Sequence, residues 1–206
     1  MENPNSRLEA FCDGVFAIAL TLLIIEIKIP PLESVHTKNE LWAAFAKAWP
    51  SWLAFLVSFI TILISWVNHS HALKLIGKYS TKFTYSNGLL LLSIIILPFP
   101  TAAVAEYFQT DLVQPAVTLY CAVSLLNNAG WLVLQHAALH PKPLYKSGID
   151  SNKIKTAAHY TRIGFVLYVF AFVLSFWFPI AAFLIIGFSF IAWLILGIIL
   201  KEEDEN

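Results

Sequence analysis

Six apolar stretches, at 8–29, 41–67, 83–107, 115–139, 157–178 and 180–200, alternate with short polar segments along the chain. Each is long enough to cross a hydrocarbon core, where a lone segment satisfies its own backbone groups only as a helix. The first holds 22 residues, which at 1.5 Å each reach about 33 Å. Pro30 and Pro31 stop it, since neither can donate a helical hydrogen bond. The second carries Pro50 between Trp49 and Trp52, indoles suited to a membrane interface. The third carries Leu97-Pro98-Phe99-Pro100 and should kink there, and Pro179 turns the chain from the fifth into the sixth. The pattern predicts an all-α integral membrane protein, with residues 1–206 forming a single domain of six transmembrane helices.

Composition agrees with that reading. Hydrophobic residues make up 58% of the chain and charged residues 13%, and the mean hydropathy is +0.70. A soluble domain of this size could not cover its surface with so few charges. The formal net charge is zero, so no basic patch points to nucleic acid. Charge placement says more than the total. Ten basic residues fall in one set of connecting segments (Arg7, Lys74 to Lys82, Lys142 to Arg162, Lys201), against three in the other (Lys28, Lys38, Lys47). The positive-inside rule then places both termini in the cytoplasm of a multi-pass protein of the cell membrane. The first seven residues lack a basic leader, so the first stretch is expected to be a retained helix rather than a signal peptide.

The first helix is the unusual one. It carries Asp13 and Glu26 within or at the edges of an apolar span, beside Thr21. Intramembrane carboxylates are costly and tend to face protein or water. The second helix, running antiparallel, brings Trp66, Asn68 and His69 to the depth of Arg7 and Asp13, so a buried network of these groups is expected. A proton relay between Asp13 and His69 is the sharper alternative. Glu26 and Lys28 lie near the outer boundary, where they can snorkel. His69 and His71 are poorly spaced for chelation, and His136 and His140, though better spaced, have no acidic or thiol company. Cys12 and Cys121 form no metal or disulfide pattern. No nucleophile–base set or phosphate loop argues for an enzyme, and the sequence shows no sign of the polar cavity within one subunit that a membrane enzyme would need.

The stretch Arg7 to Ile27, reading RLEAFCDGVFAIALTLLIIEI, strongly resembles the first-helix signature of the transmembrane protein 175 family. Supporting matches follow in order: Trp-Pro-Ser-Trp at 49–52, Ser58-Phe59, Trp66-Val67-Asn68-His69 and Leu-Pro-Phe-Pro-Thr at 97–101. The resemblance implies a potassium-permeable channel whose pore is lined by the first helix, with one six-helix repeat per chain assembling as a homotetramer. By motif position Ile18, Leu22 and Ile25 match the family's pore constriction and Thr21 its nearby polar layer. It also implies an inner structural network of Arg7, Phe11, Asp13, Trp66, Asn68 and His69, and puts Glu26 at the outer mouth. Cys12 stands where the family usually has Ser; a thiol is the weaker donor, which alters the hydrogen bond made there.

Read from the residues alone, the apolar stripe Ile18, Leu22, Ile25 and Ile29 could be ordinary lipid-facing or packing surface. With the resemblance, it reads as stacked rings around a symmetry axis that gate by dewetting. No TVGYG-like run offers a carbonyl cage. The expected function is therefore a homotetrameric channel for potassium and other monovalent cations, embedded in lipid, needing no cofactor beyond the permeant ion. The alternative is a proton-coupled transporter or proton channel using Asp13 and His69.

Overall fold

The computed structural model describes residues 6–149 and 151–205. Residues 1–5, 150 and 206, which include the chain start and the last residue of the acidic tail, lie outside the described residues. Every long element is helical: α1 (Ser6–Leu22), α2 (Lys38–Lys47), α3 (Trp49–Leu75), α4 (Thr81–Ile96), α5 (Pro98–Tyr107), α6 (Val113–Leu139), α7 (Ser151–Leu174) and α8 (Pro179–Glu205). Five stretches among the described residues are long and apolar enough to cross a membrane: Ser6–Glu26, Trp49–Leu75, Thr81–Tyr107, Val113–Leu139 and Ile154–Leu174. A shorter apolar helix is described over Pro179–Ile195.

Proline decides where several of these helices begin. Pro50 occupies the first turn of α3, where its missing N–H costs nothing. The second apolar stretch is therefore two helices that meet at Ala48, and α3 continues to Leu75, past the polar residues at 68–71. Pro98 likewise starts α5 after the break at Leu97, at the place the Leu-Pro-Phe-Pro run predicts. The first helix stops short of residue 29. After Leu22 it tightens into a 3-10 turn, Leu23–Glu26, and Ile27 is extended, so Ile29 falls off the helical stripe. The residue before a proline avoids helical backbone, and Pro30 imposes that limit here. α7 starts earlier than its apolar run, at Ser151, because a helix end standing in a polar layer leaves no mark on hydropathy.

The helix α6 forms the centre, packing on α4, α5, α7 and α8, while α1 leans on α3 and α4 at the edge. Gly130 of α6 lies against the backbone of a neighbouring helix: a Cβ there would be 3.0 Å from the Leu90 Cα of α4. Hydrogen bonds between small polar side chains tie the helices together where apolar packing gains little from lipid. Ser58 of α3 lies 2.6 Å from the Thr101 hydroxyl of α5 and 3.0 Å from that of Tyr120 on α6. Asn127 donates to Ser93 at 2.9 Å, and Thr118 pairs with Ser175 at 2.9 Å. At one end of the bundle the segment between α6 and α7 folds back on the end of α3. There Gly77 N–H donates to the Leu144 carbonyl at 2.9 Å and Lys146 N–H to that of Leu75 at 3.0 Å.

Candidate functional site: the two faces of the first helix

α1 shows the bundle one narrow face. Cys12, Phe16, Ala19 and Leu23, spaced four, three and four apart, are buried against α3 and α4. The remaining surface is open in the single chain, and its centre carries Ile18 (61% exposed) and Ile25 (69% exposed), with Leu22 beside them at 41%. Leu22 follows Ile18 by one helical turn, and Ile25 comes next in the 3-10 turn Leu23–Glu26. Thr21 shares this open face and donates its hydroxyl hydrogen to the Ile18 carbonyl at 2.9 Å. That bond uses the proton and leaves the oxygen lone pairs outward, the polarity a cation meets favourably. Ala10, Gly14 and Ala17 complete the face with small side chains, and a Cβ on Gly14 would meet nothing of its own chain.

The buried face anchors α1 through two separate polar contacts. In the first, the Trp66 indole N–H of α3 donates to Asp13 Oδ1 at 2.8 Å, and this pair is exposed. In the second, His69 Nε2 and Asn87 Oδ1 lie 2.6 Å apart, and the Asn87 amide donates to the Cys12 sulfur at 3.1 Å. An amide oxygen only accepts, so His69 carries a proton on Nε2. Its Nδ1 has no hydrogen-bond partner among the described residues. His69, Asn87 and Cys12 are all buried. Phe16 packs on the His69 ring at 5.3 Å between centroids, and Trp131 of α6 lies on another side at 6.2 Å.

This arrangement differs from the network expected from the sequence. Asp13 and His69 stand in different pairs, with no hydrogen bond between them. Arg7 is exposed and makes no ion pair with Asp13; among the described residues the ion pair present is Lys28 with Glu106 of α5, at 3.1 Å. Phe11 is 62% exposed on the open face, so it belongs with Ile18 rather than with the buried contacts. Asn68 lines a cavity that no α1 residue lines, and Glu26 is half-buried.

Asn87 is the residue that sequence reasoning missed. Its signal was present: an asparagine between Ser86 and Gly88 in an otherwise apolar helix needs a buried partner. Cys12 serves as an acceptor here, a role in which a thiol and a hydroxyl differ less than as donors. No group of three or more histidine, cysteine or acidic side chains gathers for a metal among the described residues. His136 and His140 stack at 4.7 Å between centroids, on an exposed surface. A cavity does open between α3, α6, α7 and α8, and its wall is mainly apolar.

The profile of the family described as the endosomal/lysosomal potassium channel TMEM175 matches residues 7–98, which take in α1, the Trp66–His69 end of α3 and all of α4. A protein of Chamaesiphon minutus named as a potassium channel is 39% identical over 194 residues, covering 92% of both chains. A zebrafish (Danio rerio) endosomal/lysosomal proton channel TMEM175 is 33% identical over 68% of this chain, which spans 30% of that longer protein. The crystal structure of a lysosomal potassium-selective channel TMEM175 homolog from Chamaesiphon minutus superposes with a TM-score of 0.85 at 35% identity, covering 95% of this chain and 99% of that one. With matching extent along the whole chain and the same helical architecture, this chain belongs to the TMEM175 family of ion channels.

Proposed function

We propose that this chain is one subunit of a homotetrameric, potassium-permeable cation channel in the cell membrane, with four copies of α1 around the axis. The observation that carries the reading is the two-faced character of α1: a narrow buried edge, and an open face bearing Ile18, Leu22, Ile25 and Thr21. A single helix at the edge of a bundle encloses nothing, so conduction needs closed symmetry that repeats it. Ala10, Gly14 and Ala17 fit that role, because small side chains let helices of neighbouring copies approach. Ile18, Leu22 and Ile25 form the hydrophobic constriction, Thr21 the polar layer beside it, and Glu26 stands at the outer mouth. Residues 180–200 complete six spans, and the ten-to-three bias of basic residues sets both termini in the cytoplasm.

The bacterial relative named as a potassium channel supports potassium as the permeant ion. A planar-bilayer recording of the purified protein across a potassium/sodium gradient tests this. Ohmic single-channel currents reversing towards the potassium potential are expected; saturable, proton-dependent flux without channel currents would refute it.

A second reading, a proton channel or proton-coupled carrier, draws on the animal relatives named as proton channels. Here Asp13 alone would have to carry it. His69 engages Asn87 and is shielded by Phe16, so the two-residue relay lacks a direct link.

A further inference from the structure

No side chain of α2 is buried in the chain, although the helix is well formed and starts from the capping box of Thr37 and Glu40. A helix of ten residues is too short to hold itself in water, so it needs an apolar surface against one of its faces. α2 has a face suited to one. Leu41, Trp42 and Phe45 share it and are all exposed, Trp42 to 72%. The Trp42 and Phe45 rings meet edge to face at 6.1 Å between centroids. Asn39, Glu40 and Lys47 take the opposite side.

The apolar face of α2 does not end where α2 does. Trp42, Phe45, Trp49, Trp52, Leu56 and Ile60 are exposed at spacings of three, four, three, four and four residues. One stripe therefore runs from α2 across Ala48 and along α3. On α3 the stripe lies in a stretch long and apolar enough to cross a membrane. Trp49 and Trp52 mark one end of that stretch, and indoles favour the depth where hydrocarbon meets headgroups. Pro50 interrupts the helical hydrogen bonds at the same level, so α2 leaves α3 at the membrane surface.

The size of the face decides between a protein and a lipid occupant. Three large side chains on a helix of about 15 Å fall well short of the roughly 800 Å² per partner of a stable protein interface. A membrane surface asks for less: apolar side chains inward, rings at the boundary and charges towards water. α2 meets these terms, with Lys38 and Lys47 at its two ends within reach of phosphate oxygens.

We infer that α2 is a membrane-surface helix, seated in the boundary layer of the bilayer with Trp42 and Phe45 in lipid and Glu40 and Lys47 in water. The inference is independent of the conduction reading. The test uses the full-length protein in phosphatidylcholine nanodiscs. Trp42→Cys, Phe45→Cys, Asn39→Cys and Lys47→Cys, made one at a time, each carry a nitroxide label. The parent protein, whose Cys12 and Cys121 are buried, is treated in the same way and supplies the background to subtract. Power saturation then compares access of oxygen, which concentrates in lipid, with access of a water-soluble nickel chelate.

The ratio of oxygen to nickel access is expected to be several-fold higher at the Trp42 and Phe45 positions than at Asn39 and Lys47. The two apolar positions are read separately, so one serves if the other variant does not fold. Equal, high nickel access at all four positions would mean a helix standing in water and would overturn the proposal. Trp42 and Phe45 positions shielded from both reagents would mean that a neighbouring copy covers the face, and would overturn it too.

Discussion

At the residue scale, the attachment of α1 rests on a few hydrogen bonds, and Asn87 is the most consequential of them. Its amide joins α3 to α1 by accepting from His69 and donating to Cys12. Asn87→Leu keeps the volume but strands the His69 N–H in a buried site, at a cost of about 1–3 kcal/mol. The expected outcome is a lower Tm and loss of assembly in mild detergent. Asp13→Ala removes an exposed acceptor and should cost less, because the Trp66 indole can turn to water. Comparing the two variants by thermal unfolding and size-exclusion chromatography checks that order; equal losses would contradict it. Half of this was legible in the sequence. The antiparallel run of two helices brings Trp66 to the depth of Asp13, and the structure pairs them. What depth could not supply is direction around the helix axis: His69 lies three residues after Trp66, yet it turns to α4 and Asn87.

At the scale of elements, the apolar spans were visible because lipid leaves a helix little choice of composition. The ends were less visible, since capping and proline chemistry override hydropathy. Thr37 and Glu40 form a capping box that starts α2 inside what reads as a connector. The backbone N–H groups of His36 and Thr37 hold the Glu40 carboxyl below its usual range. That contribution is present at neutral pH and is lost as pH falls through the lowered value. Packing between elements depends on contacts that no pattern of polar and apolar residues encodes. Gly130 is the sharpest example. Gly130→Ala would push a methyl against the α4 backbone at Leu90, which cannot turn aside as a side chain could. The predicted loss is about 1–3 kcal/mol, typical of an overpacked core. Gly14→Ala meets nothing in its own chain, so it should leave monomer stability unchanged and weaken only the association of subunits. Thermal unfolding alongside light scattering separates the two effects; a Gly130→Ala protein as stable as the parent would refute the close approach.

At the scale of the whole molecule, one chain supplies a scaffold and one helix at its edge. The scaffold, centred on α6, buries the polar pairs that hold its helices in register. The edge helix offers apolar side chains to whatever completes the surface. Sequence periodicity found that stripe but extended it to Ile29, which the Pro30 limit removes from the helix. It could not reveal the cavity between α3, α6, α7 and α8, because a gap arises from how four helices fail to meet. The central claim is that Ile18 forms the narrowest ring on the axis of a tetramer. A narrow apolar ring gives an ion nothing in place of its hydration shell, and a polar side chain of similar bulk does. The direct measurement is single-channel conductance and potassium/sodium selectivity of Ile18→Asn against wild type and Leu20→Asn, all reconstituted in the same bilayers. Ile18→Asn is predicted to raise conductance and relax selectivity while Leu20→Asn, on the flank of α1, does not raise it; wild-type conductance and selectivity in a correctly assembled Ile18→Asn channel would contradict the account.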